Sequence, residues 1–240
     1  MRKDYFVSDQ FLRLSTSGRD YNLHLISMNM NKKLFAFSVF FTLMCGILKS
    51  QSQVYIDLMA GHKGLTSEFF FLQKIDQDAR WTVISRSEMH LPEYKTEHPG
   101  FVNYNIFSYN FKNHFGITAG TYATSHYPFS ARLGLQYLKE SEKWLIYTNL
   151  STAVTKDPDA QILLVLGYLP EISKKWRLVT RLEARTAINY ESGHQFSTQQ
   201  LKLGAQYNEK IGFGLGVEVE EHGKSSHRDF NIGPFLRVNF

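Results

Sequence analysis

A chain of 240 residues that is 43% apolar, 15% aromatic and 20% charged is too apolar to be disordered and too polar for a bundle of membrane helices. Its pI near 9.1 suggests a polyanion partner, but the excess is local. Seven of the 27 Lys/Arg and three of the 22 Asp/Glu lie in residues 1–52, which leaves 20 bases against 19 acids. Nucleic-acid binding needs a concentrated basic footprint, and the body of this chain has none.

The first segment with a clear pattern is MNMNKK at Met28–Lys33, followed by the 15-residue apolar run LFAFSVFFTLMCGIL. That run is short for a bilayer span and right for the core of a signal peptide. Ser50 and Ser52 put small residues where a signal peptidase reads, so cleavage is expected after Ser52. Residues 1–27 then read as an extension from a mis-called start, 28–52 as the signal peptide and 53–240 as one domain. The single cysteine, Cys45, falls inside the apolar run, so no disulfide or thiolate metal site is expected in the mature chain, and no cofactor is implied.

Beyond Ser52 the chain alternates with period two, and twelve strands are expected: 54–61, 67–75, 79–87, 101–111, 114–122, 130–138, 142–151, 161–169, 175–187, 197–207, 210–220 and 229–240. The second to fourth are the least regular, since FFFL is apolar and NYNIF polar on both faces. DQD, KN, ESE, SKK and NEK make tight turns at one end, while most connections at the other are longer and rich in Gly, Pro and His. The final strand places Phe230, Ile232, Pro234, Leu236, Val238 and Phe240 on one face.

A terminal aromatic after alternate apolar residues resembles the C-terminal signature of Gram-negative outer-membrane β-barrel proteins. The resemblance implies an all-β, closed antiparallel transmembrane barrel in the outer membrane, surrounded by lipid. It also implies that Leu236, Val238 and Phe240 form the signal for the barrel-assembly machinery. About ten residues per strand is what a tilted strand needs to cross a bilayer. Trp81, Trp144, Trp176, Tyr137, Tyr168 and Tyr207 are expected near the membrane interfaces.

In such a barrel IGFGLGVEVEE points Ile211, Phe213, Leu215, Val217 and Val219 outward, with Gly212, Gly214, Gly216, Glu218 and Glu220 inward. The glycines either relieve crowding or leave room for a passage. The same alternation turns Arg177, Arg181, Glu183 and Arg185 inward, the arginines about 13 Å apart at about 3.3 Å per residue. Lys202, Arg132, Lys143 and Arg237 join them, with Lys74, Arg80 and Arg86, against the acids Asp57, Glu68, Glu183, Glu218 and Glu220. Ten bases facing five acids predict a positive lumen. The leading expectation is a passive channel for small polar or anionic solutes, similar in strand number to the monomeric porins for acidic oligosaccharides. The alternative is a closed structural barrel in which these charges pair.

A third reading is an outer-membrane lipid hydrolase. Its candidates are Ser125–His126 and Ser225–Ser226–His227 with Asp229 or Asn231, groups that would need hydroxyl and imidazole within hydrogen-bond reach. His62, His90, His98, His126, His194, His222 and His227 are expected in external loops, with no metal site and no catalytic activity assigned.

Overall fold

The computed structural model describes residues 52–240 apart from 97, 98, 126, 128 and 224–226. The leader and start-site expectations therefore lie outside the described residues. Each apolar-alternating segment forms a strand: β1 (Ser52–Gly61), β2 (Gly64–Lys74), β3 (Trp81–Pro92), β4 (Gly100–Asn110), β5 (Phe115–Thr124), β6 (Ser130–Glu140), β7 (Trp144–Ala153), β8 (Asp159–Tyr168), the three-residue β9 (Glu171–Ser173), β10 (Trp176–Asn189), β11 (Gly193–Tyr207), β12 (Ile211–His222) and β13 (His227–Asn239). The twelve long strands pair antiparallel with their neighbours. The sheet closes where β1 meets β13, with Asp57 opposite Arg237. Phe240 continues that seam, its N–H donating to the Val54 carbonyl at 3.0 Å.

All twelve expected strands are present, but several run further. The third extends to Pro92, the tenth long strand (β11) begins at Gly193, and the last begins at His227. His90, His194, His222 and His227 are therefore strand residues, not loop residues. The connections at the two ends become comparable in length, because paired backbone satisfies its own hydrogen bonds and continues past the apolar pattern. Asp76 shows how a tight turn is held: its carboxylate accepts the N–H groups of Arg80 at 3.2 Å and Trp81 at 2.7 Å. Two turn assignments differ from expectation. Arg80 and Lys143 lie in exposed turns instead of the interior, since β3 and β7 begin two residues later than expected, at Trp81 and Trp144.

The end holding Ser52 and Phe240 is the basal end, and the other the distal end. A ring of aromatics circles the basal rim in register: Trp81 opposite Tyr109, Phe115 opposite Tyr137, Trp144 opposite Tyr168 and Trp176 opposite Tyr207. Trp144 and Tyr168 stack with centroids 4.1 Å apart. Above the ring, Leu133, Leu135, Leu203, Phe213, Leu215 and Leu236 are exposed on the outer face. Such an apolar belt capped by aromatics suits lipid on the outside. The mixed pattern of β3–β5 resolves differently. Ser85, Ser87, Asn103, Asn105 and Thr121 share that outer face and bond to each other, with Ser85 to Asn105 at 2.7 Å and Asn105 to Asn103 at 2.9 Å.

The interior is packed. Leu72, Ile84, Ile106, Leu138, Leu145, Tyr147, Leu163 and Val165 form one inward cluster. Met59, Val179 and Phe235 form another beside the glycine stripe of β12. The glycines thus relieve crowding. A Cβ on Gly214 would lie 2.1 Å from the Leu203 carbonyl oxygen and 2.5 Å from Gly204 Cα, whereas one on Gly216 meets Met59 Sδ at 2.5 Å. Backbone cannot yield to the first; a flexible thioether can yield to the second. Gly214→Ala is accordingly expected to lower stability by about 1–3 kcal/mol, read as the urea midpoint in detergent, with Gly216→Ala clearly milder.

Candidate functional site

Because the barrel is narrow, side chains from facing walls meet across it. Glu68 on β2 is the centre of the contact. Its Oε1 accepts from Tyr55 Oη at 3.0 Å and Arg86 Nε at 3.1 Å, with Arg181 Nη2 at 3.6 Å; its Oε2 accepts from Lys202 Nζ at 3.1 Å. Lys202 also donates to Asp57 Oδ2 at 2.6 Å, and Arg237 forks onto both Asp57 oxygens at 2.7 Å. Arg86 reaches from β3 across to Glu183 on β10 at 2.9 Å and to Glu88 on its own strand at 2.5 Å, and Arg181 pairs with Glu183 at 3.3 Å. Four acids (Asp57, Glu68, Glu88, Glu183) thus meet four bases (Arg86, Arg181, Lys202, Arg237), and the cluster is neutral.

Aromatic faces complete the layer. Tyr55 stacks on Phe70 at 5.0 Å, Arg237 lies 4.0 Å over Tyr55, and Arg181 lies 5.0 Å over Phe70. Guanidinium groups tolerate this because they are weakly hydrated and offer π-stacking planes. Towards the basal end, Lys74 on β2 reaches Glu140 on β6 at 2.7 Å, and Gln53 donates to the same carboxylate at 2.5 Å. On the β6–β8 wall Arg132 pairs with Asp159 at 2.8 Å.

Of the expected interior residues, Arg132, Arg181, Glu183, Arg185, Lys202, Glu218 and Arg237 are buried inside and Glu220 is half-buried there. Arg177 sits at the basal mouth, bridging Glu171 at 3.2 Å and Glu209 at 2.8 Å. The expected positive lumen is corrected. Glu88, Glu140 and Asp159 also face inward, as does Asp229 at the rim opposite Glu220, while Arg80 and Lys143 do not, which leaves eight bases and nine acids on the strands. Glu88, Glu140 and Asp159 were missed because their strands extend further than the apolar pattern, and only alternation counted along the full strand would have found them.

Above the neutral layer the interior opens into a distal vestibule of about 1170 Å³. Its wall includes Arg185, Glu88, Glu218, Glu220, Tyr122 and Phe196. Glu88, Glu218 and Glu220 bring carboxylate oxygens within 4.8 Å of one another. Glu218 accepts from Thr66 at 3.1 Å and Glu220 lies 3.3 Å from His222. Arg185 is 4% exposed and rests 5.1 Å over Phe196, and its Nε and Nη1 have no hydrogen-bond partner among the described residues. At the rim, a hydrogen bond from Lys95 holds the Glu93 carboxyl below its usual range, and burial pushes the Tyr127 hydroxyl up.

The sequence-derived Ser–His candidates do not form a described site. His126, Ser225 and Ser226 lie outside the described residues, as does the His227 side chain. Ser125 Oγ accepts the Phe101 N–H at 3.3 Å, Asn231 binds the Lys63 N–H at 3.0 Å, and Asp229 pairs with Lys63 at 3.1 Å.

No family model and no curated protein sequence matches the chain. Among solved structures, the NanC porin superposes with a TM-score of 0.50 at 8% identity, covering 79% of this chain and 98% of its own. Looser likenesses are a bacterial polysaccharide outer membrane secretin (TM-score 0.37, 10% identity, 80% and 99% covered) and a loop L8 deletion of OmpT, an outer membrane protein of Vibrio cholerae (TM-score 0.36, 9% identity, 79% and 97% covered). The chain has the closed twelve-stranded antiparallel fold of outer-membrane β-barrels.

Removing one member of a buried ion cluster leaves the others unpaired at low dielectric. Glu68→Gln leaves four bases facing three acids, with Arg86, Arg181 and Lys202 each losing one of its carboxylate partners, and is expected to cost about 3–5 kcal/mol, measured by urea unfolding. Lys63→Ala, which removes a half-exposed rim pair with Asp229, is expected to cost under about 1 kcal/mol.

Proposed function

We propose that this protein is a porin-like barrel of the Gram-negative outer membrane, closed between its basal mouth and its distal vestibule, and that the vestibule is where a small polar or anionic solute meets it. The observation that carries this reading is the neutral cross-lumen layer around Glu68. Its members are bonded to one another from β1, β2, β3, β10, β11 and β13, and Tyr55 and Phe70 pack against them. Charges satisfied this way offer little to a passing ion. Arg181, expected to select anions, is already held by Glu183. Arg185 differs in making no ion pair among the described residues: its Nε and Nη1 have no hydrogen-bond partner there, and a guanidinium on the vestibule wall can grip a carboxylate or phosphate through two parallel donors.

In this reading the outer apolar belt contacts lipid, and Leu236, Val238 and Phe240 serve the assembly machinery through an outward-facing edge that closure later pairs with β1. A freely conducting channel is the second reading, favoured by the likeness of fold to a porin. It requires the Glu68 layer to part.

Full-length protein purified from membranes and inserted into a planar bilayer separates the two. Closure predicts a silent bilayer for the wild type and openings after Tyr55→Ala with Phe70→Ala, which removes the stacked rings and leaves the ion pairs. Steady wild-type openings with anion preference would overturn closure and establish passive diffusion.

A further inference from the structure

Residues three apart on a regular strand point to opposite faces. His194 and Ser197 on β11 break that rule. Ile188 pairs with His194 and Ala187 pairs with Phe196, so Gln195 has no partner on β10 and forms a bulge. The extra residue returns His194 to the face of Ser197, as bulges beside active sites re-aim side chains. His194 Nε2 then lies 2.9 Å from Ser197 Oγ, and its Nδ1 lies 3.1 Å from the carbonyl oxygen of Gly223. A carbonyl only accepts, so it fixes the proton on Nδ1 and leaves Nε2 free to take the hydroxyl proton of Ser197. Gly223 does more than orient the ring. Its φ of +65° presents that carbonyl, and its N–H donates to the Gln195 oxygen at 2.9 Å, holding the bulge.

The pair faces outward. Phe196 and Thr198, its neighbours in sequence, line the vestibule, so Ser197 lies on the other face of the wall. Opposite it in register stand Thr186 on β10 and Glu221 on β12. Thr186 Oγ1 is 3.0 Å from Ser197 Oγ. Below on the same face run Leu201 and Leu203, and beside it Ile188 is exposed. Height is decisive. From Tyr207 in the basal ring, ten residues at about 3.3 Å span about 33 Å of strand, or about 25 Å of membrane at a tilt near 40°. Ser197 therefore meets the far edge of the apolar band, the depth of lipid ester groups.

We propose that Ser197 and His194 form a catalytic dyad that cleaves acyl esters of outer-leaflet lipid, positioned by Gly223; the lipid assignment rests on the membrane placement above. Ser197 Oγ attacks the ester carbonyl carbon as its proton passes to His194 Nε2, and the Thr186 hydroxyl is placed to donate to the oxyanion. Collapse breaks the bond to the alcohol, which leaves with that proton. Water, deprotonated by His194, then attacks the acyl-serine, releases the fatty acid and restores the hydroxyl.

The test uses full-length protein in vesicles of phosphatidylethanolamine and phosphatidylglycerol, with a fluorophosphonate as active-site probe. The expected result is a phosphonyl adduct on the Ser197 peptide, together with release of lysophospholipid and fatty acid. Ser197→Ala should lose both. His194→Gln should slow turnover about 10²–10⁴-fold, with β-sheet circular dichroism confirming that each variant is folded. A folded wild type that takes no adduct at Ser197, or turnover that survives Ser197→Ala, would overturn the dyad. Cleavage of p-nitrophenyl acetate without any release from vesicles would overturn the lipid assignment. Lipid cleavage by a barrel that also conducts leaves the dyad standing and removes only the closure.

Discussion

Closure of the sheet is the constraint on which everything else in this protein depends. Every long strand spends both edges on backbone hydrogen bonds, and the last free pair is consumed where β13 meets β1. With no edge left, the outer wall can be largely apolar. Closing at twelve strands also sets the width of the interior. That width is small enough for Arg86 to touch Glu183 and for Lys74 to touch Glu140 from facing walls.

A narrow interior must settle its charges internally. Burying an ion unpaired is far costlier than burying it in a hydrogen-bonded cluster, and the four-acid, four-base layer meets that condition with Glu68 at its centre. The two walls divide the work. Strands β4–β8 supply most of the apolar inward cluster, while β1–β3, β10, β11 and β13 supply the ions of the layer. Charge left over after this pairing collects distally, as Arg185 on one strand and Glu218 with Glu220 on another.

Departures from local regularity mark the places with chemical potential. Along most strands alternation fixes each side chain's face, and the residues there pack or pair. At Gln195 the alternation slips by one, and an imidazole meets a hydroxyl that regular geometry would have kept on the opposite side. A fold that agrees with its sequence at every other level leaves such a local conflict standing only where something holds it, here the two hydrogen bonds to Gly223.

Much of this was legible in the sequence, for a simple physical reason. Period-two alternation is a local property, so it identified twelve strands, the outward stripe of β12, the final strand, which ends at Asn239, one residue short of its expected end, and the inward orientation of Arg132, Arg177, Arg181, Glu183, Arg185, Lys202, Glu218, Glu220 and Arg237. Strand ends were misjudged because pairing with a neighbour, not the apolar pattern, decides where a strand stops; that error hid Glu88, Glu140 and Asp159 and misplaced Arg80 and Lys143. Which charges meet could not be read at all. Glu68 and Lys202 are 134 residues apart, and only closure and register bring them together. The glycine stripe was ambiguous for the same reason, because the space beside it is filled by Phe235 from β13 and Met59 from β1. For residues within regular strands the sequence determined which face each one occupies; the tertiary structure decided what each one faces, where the strands stop, and where a bulge turns a side chain such as His194 to the other face.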